Sequence, residues 1–438
     1  MAATTQKLNY ASAPPRATSS RSLRNEVIPS NGTSFTLNNT IIFDLPSNLN
    51  NTFWDVQSSY VSLDVTNNNG TAANSPNFEG GGFPACIKRI SVEIGGQTLM
   101  SCDNWNALYQ AMFDLDTASQ FRSNAGKVLF GSANASTGAE LTAHATAPVP
   151  LKVCFPLVLT PLMNSKYWPL MSRERVRIRL ELDTSDRCLI KAAAGAATTD
   201  AQIAISNVKL VQYNLELGSE VMAQVAASSG GTFKIACPNY QHHQSSLAAG
   251  QSSLSATLGF SMSSLNRIIV CQQLATAAAA NSVIGNRSQC DLERFSVSVG
   301  GVKYPQIDLK DDGNGAETLA EALVSQNSLT SWSHQSSLDL GAGSTRAGGF
   351  NGNEPTGVAG VDTVVGHYLI DLNLESQRIA GGEAGMGLVS GLNTVGQTVQ
   401  AQFTYSAGPA AAHVINIYAE HTILCMLDLN SLTWSIAV

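Results

Sequence analysis

Charge is scarce in this chain. Only 13% of its 438 residues are Asp, Glu, Lys or Arg, about half of the usual ~25%. Ser, Thr, Asn, Gln and Gly fill the polar positions instead. The net charge of −7 argues against a surface that is basic throughout, as a whole-surface nucleic-acid binder requires. No apolar run reaches the ~18 residues of a membrane-spanning helix. The N-terminal stretch Met1 to Asn25 lacks the apolar segment of a secretory signal, so the chain is expected to be made without one and to stay in a reducing compartment. Its eight cysteines (Cys86, Cys102, Cys154, Cys188, Cys237, Cys271, Cys290 and Cys425) include no CxxC pair. They sit mostly in apolar runs, so buried free thiols are expected rather than disulfides or metal ligands. Sequons such as Asn38-Asn39-Thr40 are then simply Asn-rich loops.

Catalytic patterns are missing as well. There is no G-x-S-x-G elbow, no H-E-x-x-H and no phosphate-binding G-x-x-x-x-G-K-[ST]. The histidines are His144, His242, His243, His334, His367, His413 and His421. Only His242 and His243 are adjacent, and neighbours in a strand face opposite ways, which disfavours a shared metal. Gly381 to Gly387 is glycine-rich but leads into no helix, so it is a loop rather than a phosphate cradle. Asp308, Asp311, Asp312 and Asn314 lack the spacing of a calcium loop and suggest a solvated turn leading a helix. Trp54, Trp105, Trp168, Trp332 and Trp434 are scattered, as core or interface anchors are. No catalytic, cofactor-binding or metal-binding residue is therefore assigned, no small-molecule substrate is implied, and the chain is read as a non-enzyme.

What is present is a strand plan. Ile90, Val92 and Ile94 alternate with Ser91 and Glu93, Gly95-Gly96 supplies a tight turn, and a second strand runs to Leu99. Phe295 to Tyr304 repeats this around Gly300-Gly301. The other elements repeat too. Before the first hairpin, Thr33 to Leu37, Thr40 to Leu45 and Tyr60 to Val65 have strand character. After it, Asp103 to Leu115 carries Trp105, Leu108, Met112 and Leu115 at helical spacing. Asp103 is its expected cap, and the helix is expected to plug one end of a sandwich. Val153 to Leu159 is an edge or bulged strand because of Pro156. Val176 to Asp183 alternates Val176, Ile178, Leu180 and Leu182 against Arg177, Arg179, Glu181 and Asp183, the pattern of a strand wet on one face. Ile203 to Leu217 changes parity, which calls for a bulge near Leu210.

The second half matches in order: Ser253 to Met262, Asn266 to Cys271, Leu292 to Val299, a helix over Ala316 to Val324, His367 to Leu374, Val399 to Tyr405 and Val414 to Leu429. The offset between partners stays between about 205 and 223 residues. Two consecutive all-β domains are expected, each an eight-stranded jelly-roll sandwich with a short helix after a Gly-Gly hairpin. The expected boundaries are a flexible basic arm over 1–28, a first jelly roll over 29–225, a linker over 226–232 and a second jelly roll over 233–438. The arm up to Asn25 carries Lys7, Arg16, Arg21 and Arg24 and no acid.

In Thr40 to Pro46 followed by Asp55 to Leu63, in Ile90 to Leu99, in Asn104 to Tyr109, and in the repetition of the plan, residues 28 to 438 resemble the double jelly-roll major capsid proteins of icosahedral DNA viruses. The likeness is to the polinton-like virus, virophage and adintovirus group; Trp105 stands where that family often has Tyr. The resemblance implies a virion shell protein that assembles as pseudo-hexameric homotrimers, with a separate penton protein at the five-fold vertices and other minor capsid proteins as partners. It implies that the loops near 123–147 and 341–360 form outward towers. It also implies that the basic arm turns inward toward genome, membrane or a neighbouring capsomer. The alternative is a carbohydrate-binding β-sandwich lectin or adhesin, which would favour a signal peptide and an exposed aromatic platform. A cupin-type enzyme would need clustered His and carboxylate ligands.

Overall fold

The computed structural model describes residues 20–437, apart from residues 72, 133–136, 143–147, 165, 192–196, 276–283, 286, 291, 312–314, 327–366, 376–390, 407 and 410. Sixteen strands form the two sandwiches. In the first half they are β1 (Ser20–Val27), β2 (Thr40–Asp44), β3 (Thr52–Asn67), β4 (Ile87–Ile94), β5 (Gln97–Cys102), β6 (Leu151–Phe155), β7 (Val176–Leu182) and β8 (Ile203–Leu217). In the second half they are β9 (Thr232–Leu247), β10 (Ser253–Leu258), β11 (Leu265–Leu274), β12 (Leu292–Val299), β13 (Val302–Lys310), β14 (Ile370–Asn373), β15 (Val399–Tyr405) and β16 (His413–Asp428).

The sheet orders of the two halves are the same. The first half has one sheet ordered β1-β8-β3-β6 and another ordered β2-β7-β4-β5; the second has β9-β16-β11-β14 and β10-β15-β12-β13. Each half is thus an antiparallel jelly roll of two facing sheets. Short strands extend the edges: Ser34–Thr36 on β8, Trp168–Pro169 on β3, and Thr433–Ala437 on β16.

The physics of one strand shows why these residues make this sheet. Along β7, Val176, Ile178, Leu180 and Leu182 are buried and the intervening residues are half-exposed. The wet face is stitched by cross-strand ion pairs: Arg177 to Asp44 on β2 at 2.6 Å, Arg179 to Glu93 on β4 at 3.2 Å, and Arg89 on β4 to Glu181 at 2.7 Å. Each Gly-Gly turn needs two residues with positive φ, which glycine adopts without a Cβ penalty. Gly95 and Gly96 sit at φ 57° and 85°, and Gly300 and Gly301 at 57° and 86°. The two turns are copies of one another in backbone as well as in sequence.

Four sequence expectations change. The arm does not extend to residue 28: Ser20 to Val27 is β1, paired with β8 from Ser20 opposite Leu217 to Val27 opposite Leu210. The polar, charged composition of Ser20 to Val27 hid an edge strand whose side chains are mostly exposed. The linker shrinks, because a helix over Ser219–Ser228 fills most of it and β9 starts at Thr232. Strand β9 itself, sixteen residues long, carries Pro238 and many polar residues and was not evident from periodicity. The stretch after residue 123 is not only loop, since Ala125–Phe130 is helical. The parity change in β8 is resolved by two register slips, between Ser206 and Lys209 and between Val211 and Tyr213, which flank Leu210.

At one end of each sandwich lies the Gly-Gly turn, called here the hairpin end. Leu45 donates its N–H to Val176 O there, Val176 faces Ile94, and Thr52 faces Glu216 beside Leu217 and Ser20. The chain therefore enters β1 at the hairpin end. The long connections, 103–150 and 311–369, leave from the opposite end.

Candidate functional site

The most elaborate chemistry in the molecule lies where the two jelly rolls meet. At its centre is the helix after the first hairpin, α1 (Trp105–Asp116). All its residues from Trp105 to Leu115 are buried, so it is not an amphipathic plug with a wet face. Its cap also differs from expectation: Asn104, in the left-handed region, precedes the helix, and no side chain caps it. Trp105, Tyr109 and Phe113 stack in sequence with centroids 5.1 and 5.6 Å apart. On another face, Asn106, Gln110 and Asp114 form a polar stripe at spacing four, buried among partners.

Asp114 ends that stripe and receives three cations or potential cations. Arg122 Nη2 lies 3.1 Å from Oδ1, Arg287 Nη2 lies 2.6 Å from Oδ2, and His367 Nδ1 lies 3.1 Å from Oδ2. Gln110 Nε2 donates to Oδ1 at 2.9 Å. Arg287 also donates from Nε to Tyr368 O at 3.2 Å. Burial alone would raise the Asp114 pKa, but His367, Arg287 and Arg122 outweigh it and hold the carboxyl well below its ordinary range. Arg287 and His367 belong to the second half, so the network bridges the two.

A second bridge forms around Asn104. Its Nδ2 donates to Gln244 Oε1 at 3.2 Å and Asn416 Oδ1 at 3.1 Å, and its carbonyl accepts from Tyr418 OH at 2.7 Å. His242 Nε2 sits 3.0 Å from the same Asn416 oxygen, and burial lowers its pKa. Nearer the hairpin end, Asn239 Nδ2 of β9 donates to Leu99 O of β5 at 2.9 Å. Beyond it, Lys166 Nζ donates to Lys234 O at 3.1 Å. Trp168 stacks on Trp434 at 4.9 Å, and Glu174 Oε2 accepts from Trp434 N at 2.8 Å.

These contacts define the junction: the β5 edge of the first jelly roll meets β9 of the second, while α1 packs on β11 and reaches Arg287 and His367, and Asn104 before it reaches β16. The equivalent of α1 in the second half is α3 (Ala316–Ser325), counting the Ser219–Ser228 helix as α2, and it is only partly covered, with Thr318 and Ala322 alone fully buried. Edge β13, the counterpart of β5, exposes Val302 and Ile307, the latter 78% exposed. Edge β1, the counterpart of β9, is exposed along most of its length.

The residues singled out in the sequence fall as follows. Lys7 and Arg16 lie outside the described residues. Arg21 and Arg24 are in β1, where Arg21 pairs with Glu216 at 2.5 Å and Arg24 with Glu26 at 2.9 Å. His242 and His243 do face opposite ways: His242 packs on Tyr418 and His243 approaches Phe260. Burial pushes the His421 pKa down to about 4. Asp311 leads α3 as expected but is buried, accepting from Gly315 N at 3.0 Å, Thr318 Oγ1 at 3.1 Å and Tyr368 OH at 2.7 Å. Asp308 pairs with Lys303. Trp54, Trp105, Trp168 and Trp434 are all buried, so none of them can form a ligand platform; Trp332 lies outside the described residues, as do His144, His334, Asp312, Asn314, 341–360 and 381–387. The described cysteines are free thiols.

The backbone path has clear counterparts among solved structures. It superposes on the capsid protein in a quasi-atomic model of the PBCV-1 virus capsid, with a TM-score of 0.62 at 12% identity over 98% of this chain and 99% of that one. The chain has the fold of double jelly-roll capsid proteins. The Faustovirus major capsid protein superposes with a TM-score of 0.55 at 11% identity, covering 95% of this chain and 92% of its own. The mavirus major capsid protein gives 0.52 at 11% identity, with 99% and 93% covered. No protein-family model and no curated protein matches the sequence. The likeness thus lies in the double jelly roll as a whole and scarcely in residue identity.

Proposed function

We propose that this chain is the major capsid protein of an icosahedral DNA virus, assembled as homotrimers in which six similar jelly rolls make a pseudo-hexagonal tile. The observation that carries the reading is the one-way junction inside the chain. The first jelly roll offers its β5 edge to β9 of the second, and α1 packs beside it on β11. The second has the equivalent edge, β13 with α3, and the first has the equivalent of β9, β1; among the described residues nothing pairs with either edge within one copy. Repeating the internal junction between copies joins β13 of one to β1 of the next and brings α3 toward β3 of that copy. Head-to-tail contacts of this kind either close into a ring or run on as a filament. Two similar domains per copy turn a three-fold ring into a six-part tile.

The open edges have the composition such a contact needs. Ile28, just after β1, is 65% exposed, and Val302 on β13 is 55% exposed. Unpaired sheet edges with exposed apolar residues are liabilities in a monomer and assets in an assembly. Within this reading, vertex and minor capsid proteins are further partners and the virion is the place of action. The hairpin end, where the chain enters β1, then faces the interior, where genome, membrane or a neighbouring capsomer is met. The connections at the opposite end form the outer surface. Light scattering of the purified chain, with electron microscopy of the same sample, tests the proposal: trimers of hexagonal outline support it, and a monomer at all concentrations removes it.

A further inference from the structure

The duplication supplies an internal control for reading the surface. At the first Gly-Gly turn, a polar pocket of about 420 Å³ is lined by Asp44, Ser47, Glu93, Gly95, Gly96, Arg173, Arg175 and Arg177. Arg177 is committed to Asp44 through Nε at 2.6 Å and Nη2 at 3.3 Å. Glu93 is committed to Arg179. Glu174, between the other two arginines in sequence, accepts from Trp434 N. Arg173 and Arg175 are exposed and make no ion pair with any described residue, although the charge of Arg175 reaches Asp44. The pocket lining therefore carries one positive charge in excess of its acids, three arginines against Asp44 and Glu93, and the two exposed guanidinium groups are not tied up in ion pairs with described residues.

The second Gly-Gly turn has the same backbone and none of this charge. Gly95 N donates to Arg175 O, and Gly300 N donates to Thr398 O. A Cβ on Gly95 would strike Glu174, and a Cβ on Gly300 would strike Gln397. Strand register completes the correspondence: Arg177 lies between Asp44 and Glu93, and Gln400 lies between Thr257 and Ser298. Thus Gly396, Thr398, Gln400 and Gln402 stand where the first half has Arg173, Arg175, Arg177 and Arg179. The fold builds this turn without a charge, so the arginines are not needed to form it.

We propose that the Arg173–Arg175–Arg177 pocket is a phosphate-binding site, filled in the assembled particle by the phosphodiester backbone of nucleic acid. All three cations lining it are arginine, whose planar fork engages phosphate oxygens in pairs where lysine offers a point charge. Gly96 adds an open approach: a Cβ there would meet nothing within 4 Å. The site also shares the hairpin end with the entry of the chain into β1. The phosphate site stands on this geometry alone; its occupation by packaged nucleic acid rests on the capsid reading.

The test compares the full chain with the double variant Arg173→Gln, Arg175→Thr, whose exposed positions take uncharged residues as in the second half. Anisotropy of a labelled DNA duplex is measured against salt, with inorganic phosphate as competitor and phosphatidylglycerol vesicles as a parallel probe. Light scattering on the same samples records the oligomer. The expected result is duplex binding that phosphate competes away, weakened at least about tenfold in the variant. The slope of log affinity against log salt should fall by about two, one for each lost contact. Equal binding by both proteins, or none by either, overturns the proposal. So does variant-sensitive binding to the vesicles without binding to the duplex, which would assign the site to a lipid headgroup. Trimers that ignore phosphate sink this inference and leave the capsid reading intact; a monomer that binds phosphate through these arginines does the reverse.

Discussion

Asp114 and Arg287, one from each jelly roll, meet at 2.6 Å with both side chains sealed from solvent. A buried pair of this kind is weak evidence for net stability, because desolvation offsets much of the attraction. Its value lies in geometry: the carboxylate has only one arrangement that serves Arg122, Arg287 and His367 together. It fixes how one jelly roll sits on the other, which a pseudo-symmetric tile requires. Asp114→Asn should leave two buried guanidinium groups uncompensated and cost about 3–5 kcal/mol. Urea unfolding of the purified variant checks this, and a loss below about 1 kcal/mol would show that the network is not what holds the halves.

The buried titratable groups set an acid limit. The Asp114 pKa is depressed in the folded state, so its stabilisation is complete above the ordinary carboxylate range and is lost as pH falls through and below it. His421, beside Asn239 with its Nε2 3.3 Å from the amide nitrogen, is held down to about 4 from 6.5 by burial. Its folded pKa is the lower one, so its contribution is complete above pH ~6.5 and declines as pH drops toward 4, by about 3 kcal/mol in all. Asp371, raised by burial against the pull of Arg267, acts with the opposite sign and offsets part of the loss at the acid end. Thermal melts from pH 8 to pH 4 should show a falling midpoint that His421→Gln flattens between about 6.5 and 4. An unchanged slope in that variant would remove His421 from the explanation.

The two hairpin turns should respond alike to the same substitution. Gly95→Ala and Gly300→Ala each place a Cβ on a left-handed residue, against Glu174 at 2.7 Å in one case and Gln397 at 2.5 Å in the other. Each should cost about 1–2 kcal/mol. Chemical denaturation of the two single variants measures this. Costs differing by more than about 1 kcal/mol would mean that the turns are equivalent in shape only.

The duplicated plan was legible in the sequence because period-two runs, two Gly-Gly turns and two following helices occur in the same order. Strands β1 and β9 were not legible, and they are equivalents. Both are edge strands of their own jelly rolls, polar on their exposed side chains, so neither shows a clean alternation. The same physics hid the junction. In α1 the stripe Asn106, Gln110 and Asp114 looks like the wet face of an amphipathic helix, but Asp183, Gly81 and Arg122 of the first jelly roll and Arg287 and His367 of the second turn it into a buried network. A helix whose polar side chains are short, amide-rich and free of lysine is a usable hint of such burial. The partners Arg287 and His367, by contrast, lie far along the chain in stretches with no local pattern.

Assembly should depend on the open edge of the second jelly roll. Ile307 is 78% exposed on β13, so replacing it leaves the core of the monomer untouched. Ile307→Asp should preserve the thermal midpoint within about 0.5 kcal/mol of stability while placing an unpaired charge in the contact between copies. Loss of higher-order species with an unchanged circular-dichroism spectrum is the expected outcome; an unaltered oligomer would move the contact elsewhere.

The most direct single measurement is the mass and outline of the purified chain in solution, by light scattering and electron microscopy of one preparation. Three copies in a closed ring of hexagonal outline are predicted, with β13 of each copy against β1 of the next. A monomer at every concentration, or a dimer joining two β1 edges to each other about a two-fold axis, would contradict the proposed head-to-tail tile.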